Sequence, residues 1–165
     1  MQIEHNGRTF TVTIEADSDM PPPWENEDGH GIVSGWRKGS WYGYPSKRQG
    51  ERPLVTDHGY TRFYDFAEAV KTAKRDGWGA SKHDRDAWAR KGITPTRGMV
   101  AVSAAEADFR YLQRWCNADW YYVYVTVTDD ETGESASLGG VESDYAETHV
   151  YELVKELASC FAEKD

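Results

Sequence analysis

The chain is poor in cysteine, in long apolar runs and in every compact catalytic signature. Its 165 residues contain two cysteines, Cys116 and Cys160. Both fall on apolar stripes of separate predicted helices, without metal-ligand spacing or an adjoining secretion signal. That pattern predicts two reduced core thiols rather than a disulfide or a zinc site. No apolar run approaches the ~20 residues that cross a bilayer, and no charged–apolar–small leader precedes the first predicted strand. The expectation is a protein that stays in solution in the compartment where it is made, with no membrane partner. A G-x-S-x-G elbow, a P-loop, a dinucleotide glycine fingerprint, H-E-x-x-H and paired C-x-x-C motifs are all absent. Gly77-Trp78-Gly79 is too short to cradle phosphate. The sequence therefore points away from an enzyme and calls for no cofactor and no metal.

Bases are scarce at both ends. Residues 1–36 hold seven acids and one base, and residues 129–165 hold eleven acids and two bases. Residues 37–97 reverse this with fourteen bases and seven acids, and 98–128 come to −1, within a total of −9. Such a distribution neutralises itself internally or presents two faces of opposite sign to partners; it speaks to association, not to fold. Mean hydropathy is low, at −0.76, but an aromatic content of 13% argues against disorder, because Trp and Tyr bury large areas. The length suits one domain, 1–165.

The firmest local pattern runs from Thr94 to Glu142. Thr94-Pro95 reads as N-cap and first helical residue, and Val102, Ala105, Phe109, Leu112 and Cys116 form an apolar stripe at helical spacing. After Asn117-Ala118-Asp119, Tyr121, Val123, Val125 and Val127 alternate with polar or aromatic neighbours as a strand, with a turn at 129–133 and a return strand over 134–141. The remaining elements are expected to pack on this helix and hairpin.

Elsewhere, Asn6-Gly7 joins two strands, residues 2–5 and 9–16, and Asp57-His58-Gly59 joins a second hairpin. Asp65-x-x-Glu68 opens a helix that ends at Gly77, and Ser81-x-x-Asp84 opens a shorter one that ends at Gly92. Asp144 and Glu147 open a last helix with the stripe Ala146, Val150, Leu153, Val154, Leu157 and Phe161. Pro21-Pro22-Pro23 imposes extended geometry, and residues 24–50 read as a long irregular aromatic and glycine-rich loop, with a short strand around Ile32 to Trp36. These elements specify an α+β fold: an antiparallel sheet built from hairpins, packed by two long helices and one or two short ones.

Three clusters carry candidate chemistry. The first is acidic: Asp129, Asp130 and Glu131 on the hairpin turn, then Glu142, Asp144, Glu147, Glu152 and Glu156 along the last helix. Such a face suits the basic groove of a nucleic-acid-handling protein, although a solvated helix face accounts for any single one of these acids. The second is the loop, where Trp36, Arg37, Lys38, Trp41, Tyr42, Tyr44, Lys47 and Arg48 interleave rings with cations. Single-strand binding uses that mixture, while a small aromatic core under a long loop is the structural alternative and the acidic pI of about 5.0 opposes nucleic acid. The third is Glu27-Asp28-Gly29-His30, which could ligate a metal in a hydrolase. A solvated turn explains it better, because no second His/Asp cluster has a spacing that must converge on it.

Several stretches together resemble a family of small proteins carried by tailed bacteriophages and prophages. They are Trp24-Glu25-Asn26-Glu27-Asp28-Gly29-His30-Gly31, Gly50-Glu51-Arg52, and Tyr64-Asp65 through Arg75-Asp76-Gly77-Trp78-Gly79. Thr94-Pro95-Thr96-Arg97-Gly98, Asp108-Phe109-Arg110-Tyr111-Leu112, Trp115-Cys116-Asn117 and Leu138-Gly139 to Glu142-Ser143 extend the likeness over most of the chain. The resemblance carries no activity or catalytic residue. It implies a setting: a viral accessory protein in the bacterial host cytoplasm, of the kind that counters host defence in anti-restriction or anti-CRISPR fashion. The resulting expectation is a stoichiometric binding protein that inhibits or modulates a host nucleic-acid-processing system, with a host protein as partner. Direct single-stranded nucleic-acid binding by the loop stands second, and a metal-dependent hydrolase third.

Overall fold

The computed structural model describes residues 1–40 and 43–162, with side chains to residue 160. It is an α+β structure with two antiparallel sheets. In chain order the elements are β1 (Gln2–His5), β2 (Arg8–Ala16), α1 (Pro23–Asn26), β3 (Arg37–Lys38), β4 (Glu51–Asp57) and β5 (Tyr60–Asp65). Then follow α2 (Phe66–Asp76), α3 (Lys82–Arg90), α4 (Arg97–Cys116), β6 (Tyr122–Asp129), β7 (Ser135–Glu142) and α5 (Ala146–Ala162). They form two compact units, one made from both chain ends (1–20 and 120–165) and one continuous from 21 to 119.

The unit of the chain ends is a four-stranded sheet, ordered β1-β2-β6-β7, carrying α5. Asn6 and Gly7 both take positive φ, 50° and 77°, the turn geometry that follows the twist of β1 and β2. The alternation of β2 and β6 turns Phe10, Val12, Val123, Val125 and Val127 onto Val150, Leu153, Val154 and Leu157 of α5, and all are buried. The period-two and helical stripes thus meet as read, with three departures. Ile14 is exposed near the far end of β2, Tyr121 precedes β6 and is exposed, and Tyr122 is buried beside Trp120. Phe161 lies outside the described side chains.

At the turn end of this sheet Asp129 is fully buried. Its carboxylate accepts from Arg8 Nε at 2.7 Å and from the backbone N–H groups of Glu131 and Thr132 at 2.8 and 3.2 Å. One side chain therefore ties the β6–β7 turn to the start of β2. The Arg8 hydrogen bond, assisted by these backbone donors and opposed by burial, holds the Asp129 carboxyl below the usual carboxylate range.

In the continuous unit, a three-stranded sheet ordered β3-β5-β4 is covered by α4, against which α2 packs. Leu54, the extra residue of a bulge in β4, joins Tyr64, Ala69, Ala105 and Leu112 in the core. Ala73, Ala101 and Ala104 let α2 and α4 approach closely, because a methyl group is all that separates the backbones there. Asp65 caps α2 by accepting from Glu68 N, and Ser81 caps α3 by accepting from Asp84 N. Buried Ser103 of α4 donates to Asp84 Oδ2 at 2.6 Å and accepts from Ser81 N at 3.0 Å, docking the start of α3.

Several expectations need correction. The N-cap of α4 is Thr96, whose Oγ1 accepts from Met99 N, and not Thr94; Pro95 sits before the cap instead of inside the first turn. Two threonines flank that proline, and spacing alone does not choose between them. Val102 leaves the apolar stripe and is exposed, while Ala101 and Ala104 face α2. Pro23 begins a one-turn helix, α1, where an irregular segment was expected, since proline suits the first helical position. The short strand falls on Arg37–Lys38, just beyond Ile32 to Trp36, where only Val33 bridges to Tyr64. Cys116 is half-buried and burial pushes its thiol up to about 11, but Cys160 is exposed, on the outer side of α5. The helix α4 and the β6–β7 hairpin, read as one nucleus, belong to different units. Among the described residues, no helix is long and apolar enough to cross a membrane.

Two outcomes follow. Leu112→Ala, emptying a fully buried site, destabilises by about 2–5 kcal/mol in chemical denaturation. Asp129 binds its proton less readily folded than unfolded, so its contribution is complete above the ordinary carboxylate pKa and is lost as pH falls through the lower folded value. Melting temperature measured between pH 6 and pH 2 therefore falls less steeply in Asp129→Asn than in the parent, from a lower starting value.

Candidate functional site

The acidic residues of the sequence separate once they are placed. Glu147, Glu152 and Glu156 stand exposed on α5, with Glu152 accepting from His149 Nδ1 at 3.0 Å. Asp130 and Glu131 are exposed at the β6–β7 turn, Asp144 is exposed in the 3-10 turn Ser143–Tyr145, and Glu142 is half-buried at the end of β7. Asp129 is the correction: its fully buried carboxylate holds Arg8 and the turn, so it presents nothing to a partner. The unit that carries these acids holds fifteen acids and three bases, a net charge of −12. The continuous unit holds thirteen acids and sixteen bases, a net +3. The two acidic ends of the sequence are therefore one acidic body.

The loop residues do not form a single patch. Trp36, Lys38, Tyr44, Lys47 and Arg48 are exposed. Arg37 is the second correction. It lies 4.0 Å from the centroid of Phe63 with Nη2 2.6 Å from Glu51 Oε1, a structural cation already engaged on both sides. Trp41 and Tyr42 lie outside the described residues. Alternation along β3 explains the division: Arg37 points to the Phe63 face of the sheet, while Trp36 and Lys38 go to the other.

Sequence reading missed a part-buried cluster in the continuous unit. His30 Nδ1 donates to Asp108 Oδ1 at 2.6 Å, and Gly31 N and Tyr64 Oη donate to Asp108 Oδ2 at 2.8 and 2.6 Å. The imidazole stacks on Tyr111, centroids 5.4 Å apart and planes 11° apart, with Glu27 Oε2 3.7 Å from Nε2. Gly31 is required here, because a Cβ at that position would overlap the Tyr64 ring. Asp108 and Tyr111 lie three apart on α4 and so share a face, which presents both to the incoming segment. The only sequence signal was an acid at position 108 among the apolar residues of a core helix. Its partners come from 44 and 78 residues away, too distant for spacing to link.

Burial disfavours the His30 imidazolium, but the hydrogen bond and charge of Asp108, with Glu27 behind them, outweigh it and raise the pKa above 6.5. Burial, then Asp108, push the Tyr64 phenol far above its ordinary value, so it remains a donor. Asp28, the other half of the hydrolase idea, is exposed and takes no part. Among the described residues, no three His, Cys, Asp or Glu side chains are arranged to hold a metal ion. The cluster fixes segment 27–31 to α4 and β5.

Because the His30 pKa is raised, its stabilising contribution is complete below 6.5 and is lost as pH rises through the folded value. A proton NMR titration should find His30 titrating above the ordinary imidazole value in the parent. Asp108→Asn should lower the His30 pKa from its parent value, since burial is then opposed by Glu27 alone.

No protein-family model, no curated protein and no solved structure matches this chain.

Proposed function

We propose that this protein is a stoichiometric binding protein that uses its acidic unit to occupy a basic surface on a host nucleic-acid-processing protein. One observation carries the reading: both acidic chain ends converge in one folded unit of net charge −12, while the intervening unit is mildly basic. A body of that charge built on a regular helix and sheet approaches basic surfaces quickly and in a fixed orientation, because complementary potentials steer association. Glu147, Glu152 and Glu156 supply charge from a rigid helix, and Glu152 and Glu156 lie about one turn apart. Asp130 and Glu131 supply it from a turn that Asp129 anchors. The phage and prophage resemblance of the sequence gives the setting, an accessory protein of anti-restriction or anti-CRISPR type in the host cytoplasm. Binding, and not turnover, is the activity of this reading.

The test compares two tagged proteins, the parent and Glu147→Lys/Glu152→Lys/Glu156→Lys, as baits in bacterial lysate treated with nuclease. The parent retains a defined nucleic-acid-processing protein, the variant loses it by at least about tenfold, and both have the same circular dichroism. Equal retention by a folded variant removes the acidic unit from the mechanism.

A further inference from the structure

Three arginines of the β3-β5-β4 sheet each lie against an aromatic ring, and two of them also have an acid. Arg37 sits over Phe63 and meets Glu51 at 2.6 Å. Arg52 sits 3.4 Å from the centroid of Phe66 and meets Glu106, also at 2.6 Å. Arg62 lies between Trp36 and Trp24, 5.0 and 5.5 Å from their centroids. Among the described residues, no carboxylate or hydrogen-bond acceptor engages its guanidinium, although the side chain is half-buried. A guanidinium stays charged at every accessible pH and offers a planar fork of donors that fits phosphate or carboxylate. Two of the three arginines thus pair a ring with a carboxylate, and Arg62 has the rings alone.

The surroundings of the Arg62 guanidinium are aromatic. Arg62 lines a cleft of about 190 Å³ with Trp24, Trp36, Trp115, Val55 and Pro22. Trp115 braces Trp24 edge-on, centroids 5.3 Å apart at 85°, so the platform is held in place. Trp36 is 45% exposed and is shared with a second depression of about 380 Å³, lined also by Asp57, His58 and Tyr60. Lys38 is the cross-strand neighbour of Tyr60 and adds a cation at that edge, while Asp57 is paired with His58. The first cleft is smaller than the ~300–1,000 Å³ of sites that enclose a whole small molecule, so it takes one ring of a longer ligand.

We propose that this face binds single-stranded nucleic acid, with a phosphate on Arg62 and successive bases in the two depressions on either side of Trp36. A polymer that alternates planar rings with anions matches clefts that alternate indole walls with cations. Duplex does not fit, because its bases are already stacked on one another. A proline-rich peptide would use the aromatic ridges but leave Arg62 without its anion. The site lies on the continuous unit and depends on none of the acidic residues invoked above. It also differs from the loop patch of the sequence reading: Trp24, Arg62 and Trp115 replace Arg37, Lys47 and Arg48 as its centre.

Fluorescence anisotropy at low salt with labelled oligodeoxythymidine, and with oligouridine in parallel to separate DNA from RNA, tests this. The parent binds at least one single strand, and unlabelled duplex or a polyproline peptide does not compete. Arg62→Gln weakens binding by about tenfold and lowers the log–log salt slope by about one. Trp36→Ala, at an exposed position, weakens it by a similar factor, so the outcome does not hang on how Arg62→Gln folds. The Glu147/Glu152/Glu156 charge-reversed protein keeps the site, which separates this proposal from the acidic-unit reading. Failure of the parent to bind either oligonucleotide, unchanged affinity in folded Arg62→Gln and Trp36→Ala, or displacement by the peptide overturns the assignment.

Discussion

The antiparallel pairing of β2 with β6 is the constraint on which the architecture rests. Seven residue pairs, from Phe10 with Asp129 to Ala16 with Val123, join parts of the chain more than a hundred residues apart. Once they are joined, everything between 21 and 119 becomes an insertion that must close on itself, and it does so around its own sheet and helices. The entropy of closing so long a loop grows only slowly with its length, so the insertion adds little to what a shorter connection would require. The same pairing explains the charge pattern. Both acidic ends are drawn into one body, and most of the bases are left in the other.

Inside each unit a carboxylate, buried in one and part-buried in the other, does a comparable job. Asp129 holds the β6–β7 turn to Arg8 at the start of β2, and Asp108 holds the 27–31 segment and Tyr64 to α4. Each accepts three hydrogen bonds, and each faces a cation, an arginine in one case and a histidine in the other. A carboxylate with several donors tolerates burial that would otherwise neutralise it. Yet the two respond to pH in opposite senses. The Asp129 pair weakens in acid, whereas the His30–Asp108 pair weakens as the imidazole loses its proton. The two pairs together contribute most where both are charged.

Arginine placement on the three-stranded sheet shows how far side-chain geometry refines a reading of composition. As letters, Arg37, Lys38, Lys47 and Arg48 form a basic cluster among aromatic residues. Pleating sends Arg37 to one face, where Phe63 and Glu51 absorb it, and leaves Trp36 and Lys38 on the other with Tyr60 and Arg62. Among the described residues, the sheet arginine that no carboxylate engages is Arg62, from a hairpin strand that composition did not single out.

What the sequence determined by itself is local. The Asn6-Gly7 and His58-Gly59 turns, the Asp65 and Ser81 caps and the α5 stripe are set by conformations available to a few neighbouring residues, and the structure has them where the residues put them. The α+β class follows from the order of those elements. What only the tertiary structure decided is which elements share a core and which polar groups find partners. The choice of Thr96 over Thr94, the separation of α4 from the β6–β7 hairpin, the burial of Asp129 and the hydrogen bonds of Asp108 all depend on contacts across long stretches of chain. An acid reads the same in sequence whether it faces water or an arginine. Distance in three dimensions, which spacing along the chain does not encode, makes the difference.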